Sequence, residues 1–137
     1  MQVIIPDASI ITAAVLKSNP KIKQKSSKFL TQVRKQEFFL EAPHFLKLEF
    51  ANATRFYFKD YGLILKSLSL FAKLPIKFIE LKPKTINEAA KISYKFKTSV
   101  YDAAYHALAI QRSVTFLTAD KKYFNKTKEL DNIKLIS

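Results

Sequence analysis

Val3-Ile-Ile-Pro-Asp7-Ala-Ser9, close to the start of the sequence, is the stretch that does most to predict the fold. A continuous apolar run of this kind is typical of a strand buried on both faces, as in a parallel sheet covered by helices. Phe116-Leu117 has the same character, so we expect the first and fourth strands to be central. Ile76-Lys-Phe78 and Ile133-Lys-Leu135 alternate with lysine, as strands nearer the edges can.

Short apolar segments alternate with segments of helical period, which indicates a parallel sheet wrapped by helices. The predicted strands are 3–5, 38–40, 76–81, 115–117 and 133–136. The predicted helices are roughly 8–17, 23–36, 43–58, 61–73, 85–97 and 100–111, with a short helix after Asp120. Thr85-Ile-Asn-Glu88 fits a capping box that would start one of these helices. The sequence has no repeat or domain boundary, so we expect residues 1–137 to form a single domain.

The composition excludes several kinds of site. The 137 residues include no cysteine, so a disulfide, a thiolate nucleophile and cysteine-bound zinc are all excluded. The one glycine, Gly62, excludes the glycine-rich phosphate loops, which need several such residues. Only His44 and His106 could supply imidazole ligands. Any catalysis must therefore depend on carboxylates, hydroxyls, lysine or arginine.

The charge balance points to a polyanionic partner. The chain has 24 lysines and arginines against 11 acids, a formal net charge of +13, which favours nucleic acid binding. Lys121, Lys122 and Lys126 follow Asp120 closely and are the lysines that we expect to guide RNA. No apolar run approaches the roughly 18 residues of a membrane span, and the start lacks the features of a signal peptide. We therefore expect a cytoplasmic protein.

Four acids interrupt apolar sequence and need an explanation, because carboxylates are rarely buried unless they are paired or hydrogen-bonded. They are Asp7, Glu49, Asp102 and Asp120. Each has an ordinary structural explanation. Asp7 and Asp120 suit helix N-caps, Asp102 completes a capping box with Ser99, and Glu49 suits a solvated helix surface. His106, one turn after Asp102, could pair with it on a metal, but we favour a histidine bonded to a neighbouring residue.

The joint placement of these acids favours a metal site. Asp7 and Asp120 follow the two strands expected to be central, and ligands of open parallel sheets bind beyond the carboxyl ends of the strands. At 4 Å and an effective dielectric near 20, each pair of carboxylates would repel by on the order of 4 kcal/mol. Mg²⁺ or Mn²⁺ would relieve that repulsion and could activate water against a phosphodiester. The alternative is a non-catalytic RNA-binding or protein-interaction module in which the acids only cap helices.

At the same residues the sequence resembles the PIN-domain family, and within it the VapC-type toxins of toxin–antitoxin pairs. The resemblance implies a three-layer α/β/α sandwich with a mainly parallel five-stranded sheet of order 3-2-1-4-5. It also implies a Mg²⁺-dependent endoribonuclease, acting as a toxin or alternatively in RNA processing. The matching segments span almost the whole chain and are Val3-Ile-Ile-Pro-Asp7-Ala-Ser9, Pro43-His-Phe-Leu-Lys-Leu-Glu49-Phe-Ala-Asn-Ala53, Tyr101-Asp102-Ala-Ala-Tyr-His-Ala-Leu-Ala109 and Phe116-Leu-Thr118-Ala-Asp120.

The resemblance also implies roles for single residues and for partners. Asp7, Glu49, Asp102 and Asp120 would form the acidic metal cluster, with Asp7 and Asp102 in direct contact with the ion. Ser9 and Thr118 match positions where the family places a hydroxyl near the site. Such toxins usually form homodimers and are inhibited by an antitoxin, which enters the acidic groove. The two predicted helices 43–58 and 61–73 carry more apolar residues than packing on a sheet requires, which favours a dimer interface or an antitoxin groove there.

One segment departs from the family pattern. Arg112-Ser113-Val114 precedes the fourth strand, at a place where relatives often carry glycine. The geometry of this loop is therefore the part of the fold that the resemblance predicts least well.

Overall fold

The structure is a computed structural model that describes residues 2–16 and 20–136. Its centre is a five-stranded sheet in which all paired strands are parallel, in the order β3-β2-β1-β4-β5. This confirms the predicted strand order. The strands are β1 (Gln2–Pro6), β2 (Phe38–Pro43), β3 (Ile76–Ile79), β4 (Thr115–Thr118) and β5 (Ile133–Leu135).

The helices of the described residues follow the predicted segments with small shifts. They are α1 (Ala8–Val15), α2 (Pro20–Arg34), α3 (Leu46–Tyr57), α4 (Tyr61–Ala72), α5 (Pro83–Phe96), α6 (Val100–Arg112) and α7 (Lys121–Thr127). Residue 17, the predicted end of the first helix, lies outside the described residues. Pro43, predicted at the start of a helix, instead ends β2, and α3 begins only at Leu46. None of the described helices is long and apolar enough to cross a membrane.

The apolar run of β1 lies at the middle of the sheet. Ile4 and Ile5 are both buried, and β1 pairs with β2 on one side and β4 on the other. Ile5 lies beside Phe116, and Pro6 lies beside Leu117. Because β1 and β4 are parallel neighbours, their carboxyl ends emerge together, and the Asp7 amide donates to the Leu117 carbonyl at 3.2 Å. The residues after these two strands therefore start side by side.

The predicted capping box at Thr85 is wrong. Helix α5 begins two residues earlier at Pro83, after Lys82, which makes no side-chain cap. Proline is well suited to the first helical position, because its fixed φ matches the helix and its missing N–H would have no helical partner. Thr85 therefore lies inside the first turn. Its buried hydroxyl donates to Oε1 of Gln111 at 2.5 Å, which ties α5 to α6.

The scarcity of glycine has a visible consequence at the ends of helices. Ser113, the C-cap of α6, has φ 55° and ψ 42°, in the left-handed region that glycine adopts without strain. The backbone N–H of Ser113 still bonds to the last turn of α6, so the loop keeps its shape with a serine. A non-glycine residue in this region costs roughly 1–2 kcal/mol. The segment that departs from the family pattern thus keeps a glycine-like conformation and bears that cost.

Replacing Ser113 by Gly should stabilise the protein by about 1 kcal/mol, because the left-handed strain disappears. Thermal or urea unfolding would show the gain, as a melting temperature higher by a few degrees. Ser69→Gly is the matched control, since Ser69 is exposed within α4, where glycine destabilises by roughly 0.5–1 kcal/mol. If both variants lowered stability equally, Ser113 would not be strained.

Candidate active site

Asp7 is held at the junction of β1, α1 and β4. It is the N-cap of α1, and its Oδ1 accepts from the amides of Ser9 (3.0 Å) and Ile10 (3.3 Å) and from the Ser9 hydroxyl. Its Oδ2 accepts from Oγ1 of Thr118 at 2.5 Å. The carboxylate is thus a helix cap, as the ordinary explanation predicts, and is also bonded across the sheet to the end of β4.

The two hydroxyls singled out in the sequence, those of Ser9 and Thr118, both contact Asp7. Each also accepts a hydrogen bond from the backbone that follows β4. Ser9 Oγ accepts from the amide of Ala119 at 2.9 Å, and Thr118 Oγ1 accepts from the amide of Asp120 at 3.0 Å. These bonds couple the position of Asp7 to that of the segment that carries Asp120.

Burial raises the pKa of Asp7 from 3.8 to about 6. Hydrogen bonds from Ser9, Thr118 and the Ile10 amide lower it, but they offset only part of the desolvation, and the charge of Asp102 raises it further. The ionised carboxylate is therefore costly at neutral pH. A bound cation would favour ionisation and remove that cost.

Asp102 and Asp120 lie at the starts of two other helices. Ser99 caps α6, and its hydroxyl accepts from the Asp102 amide at 3.0 Å, which leaves the half-buried Asp102 in the first turn. Asp120 caps α7, with Oδ1 accepting from the Tyr123 amide at 3.0 Å. Burial raises the pKa of Asp102 and the charge of Asp120 adds to the rise, although the Ser99 hydroxyl opposes it.

Glu49 is fixed by a tyrosine that the sequence analysis missed. Because α3 begins at Leu46, Glu49 lies in its first turn, and Oε1 accepts from the Tyr105 hydroxyl at 2.5 Å. Tyr105 is fully buried, with its ring centroid 5.0 Å from that of Phe45 and 5.8 Å from that of Phe116. Burial and the charge of Glu49 raise the pKa of Tyr105, so its phenol stays protonated and donates. Glu49 is therefore not a freely solvated side chain.

Asp102 is the electrostatic centre of the four acids. Its charge raises the pKa of both Asp7 and Glu49, and its own pKa is raised by Asp120. In each case burial is the larger cause of the rise. Asp7 is hydrogen-bonded to Thr118, two residues before Asp120, and Glu49 is hydrogen-bonded to Tyr105, three residues after Asp102. The four acids therefore lie at helix starts on the carboxyl edge of the sheet.

The donor chemistry of this region fits Mg²⁺ or Mn²⁺, since every candidate ligand is a hard carboxylate oxygen. Within residues 2–16 and 20–136, no three acidic, histidine or cysteine side chains form a ready metal-binding group. A closed cage of protein ligands is therefore not formed there. Mg²⁺ usually keeps several waters and binds through one or two carboxylates, so it does not require such a cage.

A groove of about 310 Å³ lies beside the acids, and we call it the acid groove. Asp102 and Asp120 line it together with Lys122 and Lys126. Lys126 also donates to the Lys97 carbonyl at 2.9 Å, which holds one wall of the groove. Lys121, which the sequence grouped with these two lysines, lines a different cavity on the other side of Asp120.

His106 has a structural role. The ring is fully buried, with Nδ1 2.9 Å from the Tyr123 hydroxyl and Nε2 2.8 Å from the Asp131 carbonyl. Both nitrogens are occupied, and burial lowers the pKa of the ring. The interpretation of His106 as a histidine bonded to its neighbours is confirmed.

Solved structures share this fold at low sequence identity. VapC20 of Mycobacterium tuberculosis, a sarcin–ricin loop cleaving toxin, is similar with TM-score 0.68 and 9% identity over 89% of this chain and 93% of that one. VapBC2 of Rickettsia felis, bound to promoter DNA, is similar with TM-score 0.67 and 13% identity, over 98% of this chain and 97% of that one. A toxin–antitoxin complex of Klebsiella pneumoniae is similar with TM-score 0.63 and 12% identity, over 95% of this chain and 94% of that one. No protein-family model and no curated protein matches the sequence. The comparisons confirm the predicted fold.

Replacing Asp7 by Asn should change stability by an amount that depends on pH. Between pH 3.8 and about 6 the folded protein keeps a proton on Asp7 that the unfolded chain has released, so wild-type stability falls as pH rises. Titration of Asp7 lowers the free energy of unfolding of wild type by at most about 3 kcal/mol, and the asparagine variant does not show this decrease. Urea unfolding in EDTA measures the free energy of unfolding of both proteins. The value for the variant minus that for wild type should increase with pH up to about pH 6 and stay constant above it.

Asn87→Ala on the exposed face of α5 is the control, because it changes no ionisable group and should differ from wild type equally at every pH. A pH-independent difference for Asp7→Asn as well would show that burial does not raise the pKa of Asp7.

Proposed function

We propose that the protein is a metal-dependent endoribonuclease that hydrolyses RNA phosphodiester bonds. The observation that carries this proposal is geometric: Asp102 and Asp120 line one groove with Lys122 and Lys126. Hydrogen bonds through Ser9 and Thr118 join the buried Asp7 to the segment that carries Asp120. In the described part of the chain no lysine or arginine forms an ion pair with any of the four acids, despite the net charge of +13. Acids that form no ion pair with these residues are well suited to binding a divalent ion.

Asp7 and Asp102 are the residues proposed to hold Mg²⁺, with Glu49 and Asp120 completing the acidic cluster and Mn²⁺ as a substitute. When bound, the ion supplies a water of lowered pKa and neutralises charge on the phosphate. Ser9 and Thr118 keep Asp7 in one orientation, and the Tyr105 hydroxyl does the same for Glu49. Lys122 and Lys126 bind RNA phosphates on the wall of the acid groove.

Within this proposal the cell uses the ribonuclease as the toxin of a toxin–antitoxin pair, a role supported by the named toxins and the toxin–antitoxin complex that share the fold. The antitoxin would bind the acid groove and block it. A PIN-like nuclease of RNA processing would have the same site. A small antitoxin gene immediately upstream would favour the toxin.

Exposed apolar side chains on α3 and α4 support a protein partner. Large exposed apolar patches on a monomer mark interaction surfaces, and we propose that this one forms a homodimer. Leu63 and Leu70 lie two turns apart on one face of α4. The exposed fractions are Leu48 74%, Phe56 81%, Tyr61 69%, Leu63 43%, Leu65 49% and Leu70 48%.

Replacing Asp102 by Asn should reduce Mg²⁺-dependent RNA cleavage by on the order of 100-fold or more. Removing one carboxylate takes away several kcal/mol of charge stabilisation, and each 1.36 kcal/mol changes the rate tenfold. Cleavage of a total RNA preparation, with and without EDTA, gives the activity. Millimolar Mg²⁺ should also raise the melting temperature of wild type and not that of the variant, because an ion that binds only the folded state stabilises it.

Asp60→Asn is the matched control, since Asp60 likewise lies at a helix start, as the N-cap of α4, but is exposed and lies outside the cluster. It should cleave at the wild-type rate. Wild-type cleavage by Asp102→Asn would contradict the assigned site. Binding of RNA that survives EDTA, with no cleavage of any RNA and no effect of Mg²⁺ on melting, would instead favour the non-catalytic module.

The double replacement Leu63→Glu with Leu70→Lys should convert the dimer to a monomer at unchanged net charge. Light scattering coupled to gel filtration should give about twice 15.8 kDa for wild type and 15.8 kDa for the variant. Tyr94→Glu on α5 is the control, because Tyr94 is 91% exposed but outside the proposed interface. A variant of wild-type mass, or a monomeric wild type, would contradict the proposed dimer.

A further inference from the structure

A second groove, distinct from the acid groove, runs between α2 and the β4–β5 side of the sheet. It consists of two adjoining cavities of about 480 and 390 Å³, which share Lys25, Leu135 and Ile136. The described residues that line it include five lysines and no acid, and we call it the lysine groove. The lysines are Lys21, Lys25, Lys28, Lys121 and Lys134.

The lysines on α2 share one face of that helix. Lys21, Lys25 and Lys28 are spaced by four and three residues, so their side chains emerge one above the other along about 10 Å of the axis. Like charges at this spacing destabilise a helix. All three are exposed, and apolar sheet residues such as Leu117 and Leu135 lie beneath them. Lys25 and Lys28 thus place two like charges on one exposed face beside an apolar floor, an arrangement favourable for a bound polyanion.

The lysine groove reaches the acid cluster through the segment after β4. Ala119 and Lys121 line the lysine groove, whereas Asp120, between them, lines the acid groove. The Ala119 amide donates to Ser9 Oγ, and Ser9 donates in turn to Asp7. A ligand that fills the lysine groove therefore reaches Ala119 and Lys121, the two neighbours of Asp120 in the sequence.

We propose that the lysine groove binds single-stranded RNA that continues from the phosphate to be cleaved. This inference rests on the proposed function and adds where the rest of the substrate lies. Lysines at the rim pair with successive phosphates, and the partly exposed Phe38 in the lining offers an aromatic ring to a base. A basic groove with aromatic stacking positions is the combination used by proteins that bind single strands. A duplex hides the faces of its bases and would not use the floor. RNA is favoured over an acidic protein segment, because the groove continues to the segment that carries Asp120, where the proposed cleavage takes place.

The double variant Lys25→Gln with Lys28→Gln tests this groove, with Lys84→Gln and Lys91→Gln on the exposed surface of α5 as the control of equal charge. Binding of a fluorescent 12-nucleotide single-stranded RNA is measured in EDTA, so that cleavage plays no part. Each lost phosphate contact on a single strand reduces the slope of log K against log salt by about 0.7. We expect a slope shallower by about 1.4 for the groove variant and an unchanged slope for the control.

Several outcomes would overturn the inference. An equal loss of RNA affinity in the two double variants would show that binding depends only on the net charge of the protein. A duplex of the same length that binds as tightly, and through the same lysines, would exclude the preference for a single strand. If polyglutamate displaced the RNA at equal charge concentration, the groove would instead be assigned to an acidic protein. Cleavage in Mg²⁺ is measured separately. If wild type binds RNA through Lys25 and Lys28 but cleaves no RNA, the proposed function is contradicted and RNA binding in the lysine groove is supported. If wild type cleaves RNA and the Lys25→Gln, Lys28→Gln variant binds as tightly as wild type, only RNA binding in the lysine groove is contradicted.

Discussion

Asp7 is a buried carboxylate that accepts four hydrogen bonds, from two amides and two hydroxyls. Burying such a group is unfavourable unless its hydrogen bonds are made, so β1, α1 and the end of β4 must meet in one arrangement. The bonds also hold the backbone that carries Asp120. The hydrogen bonds of Asp7 thus hold both the junction of β1 with β4 and the segment that carries Asp120. Changes to Ser9 or Thr118 would affect stability and site together.

The capping and the catalytic interpretations of the acids are compatible. Each acid lies at a helix start that faces the carboxyl edge of the sheet: two are N-caps, and Glu49 and Asp102 lie in first turns. The amides at a helix start carry partial positive charge and stabilise a carboxylate. Helix ends therefore keep a group of acids together without lysine partners, and the sequence signal for a cap and the signal for the site come from the same residues.

Most of the fold follows from local sequence, and part of the site does not. Apolar runs and lysine alternation predict the central and edge strands, and the topology of parallel sheets then places Asp7 beside Asp120. The contact between Tyr105 and Glu49 joins residues 56 apart in the sequence, and no local pattern predicts it. The only available signal was that Tyr105 follows Asp102 by about one helical turn. The predicted start of α5 failed because Pro83 suits the first helical position better than Thr85 suits a cap.

Periodicity also explains why the lysines after Asp120 divide between two grooves. Adjacent residues of a helix point about 100° apart, whereas residues four apart share a face. Lys122 and Lys126 therefore face the acid groove together, and Lys121 faces the lysines of α2. A sequence in which all of these lysines neutralised the acids would leave neither a cation site nor a path for a polyanion. Because Asp120 is the N-cap of α7, it lies between two basic surfaces, and the net charge of the protein can attract RNA without cancelling the carboxylates.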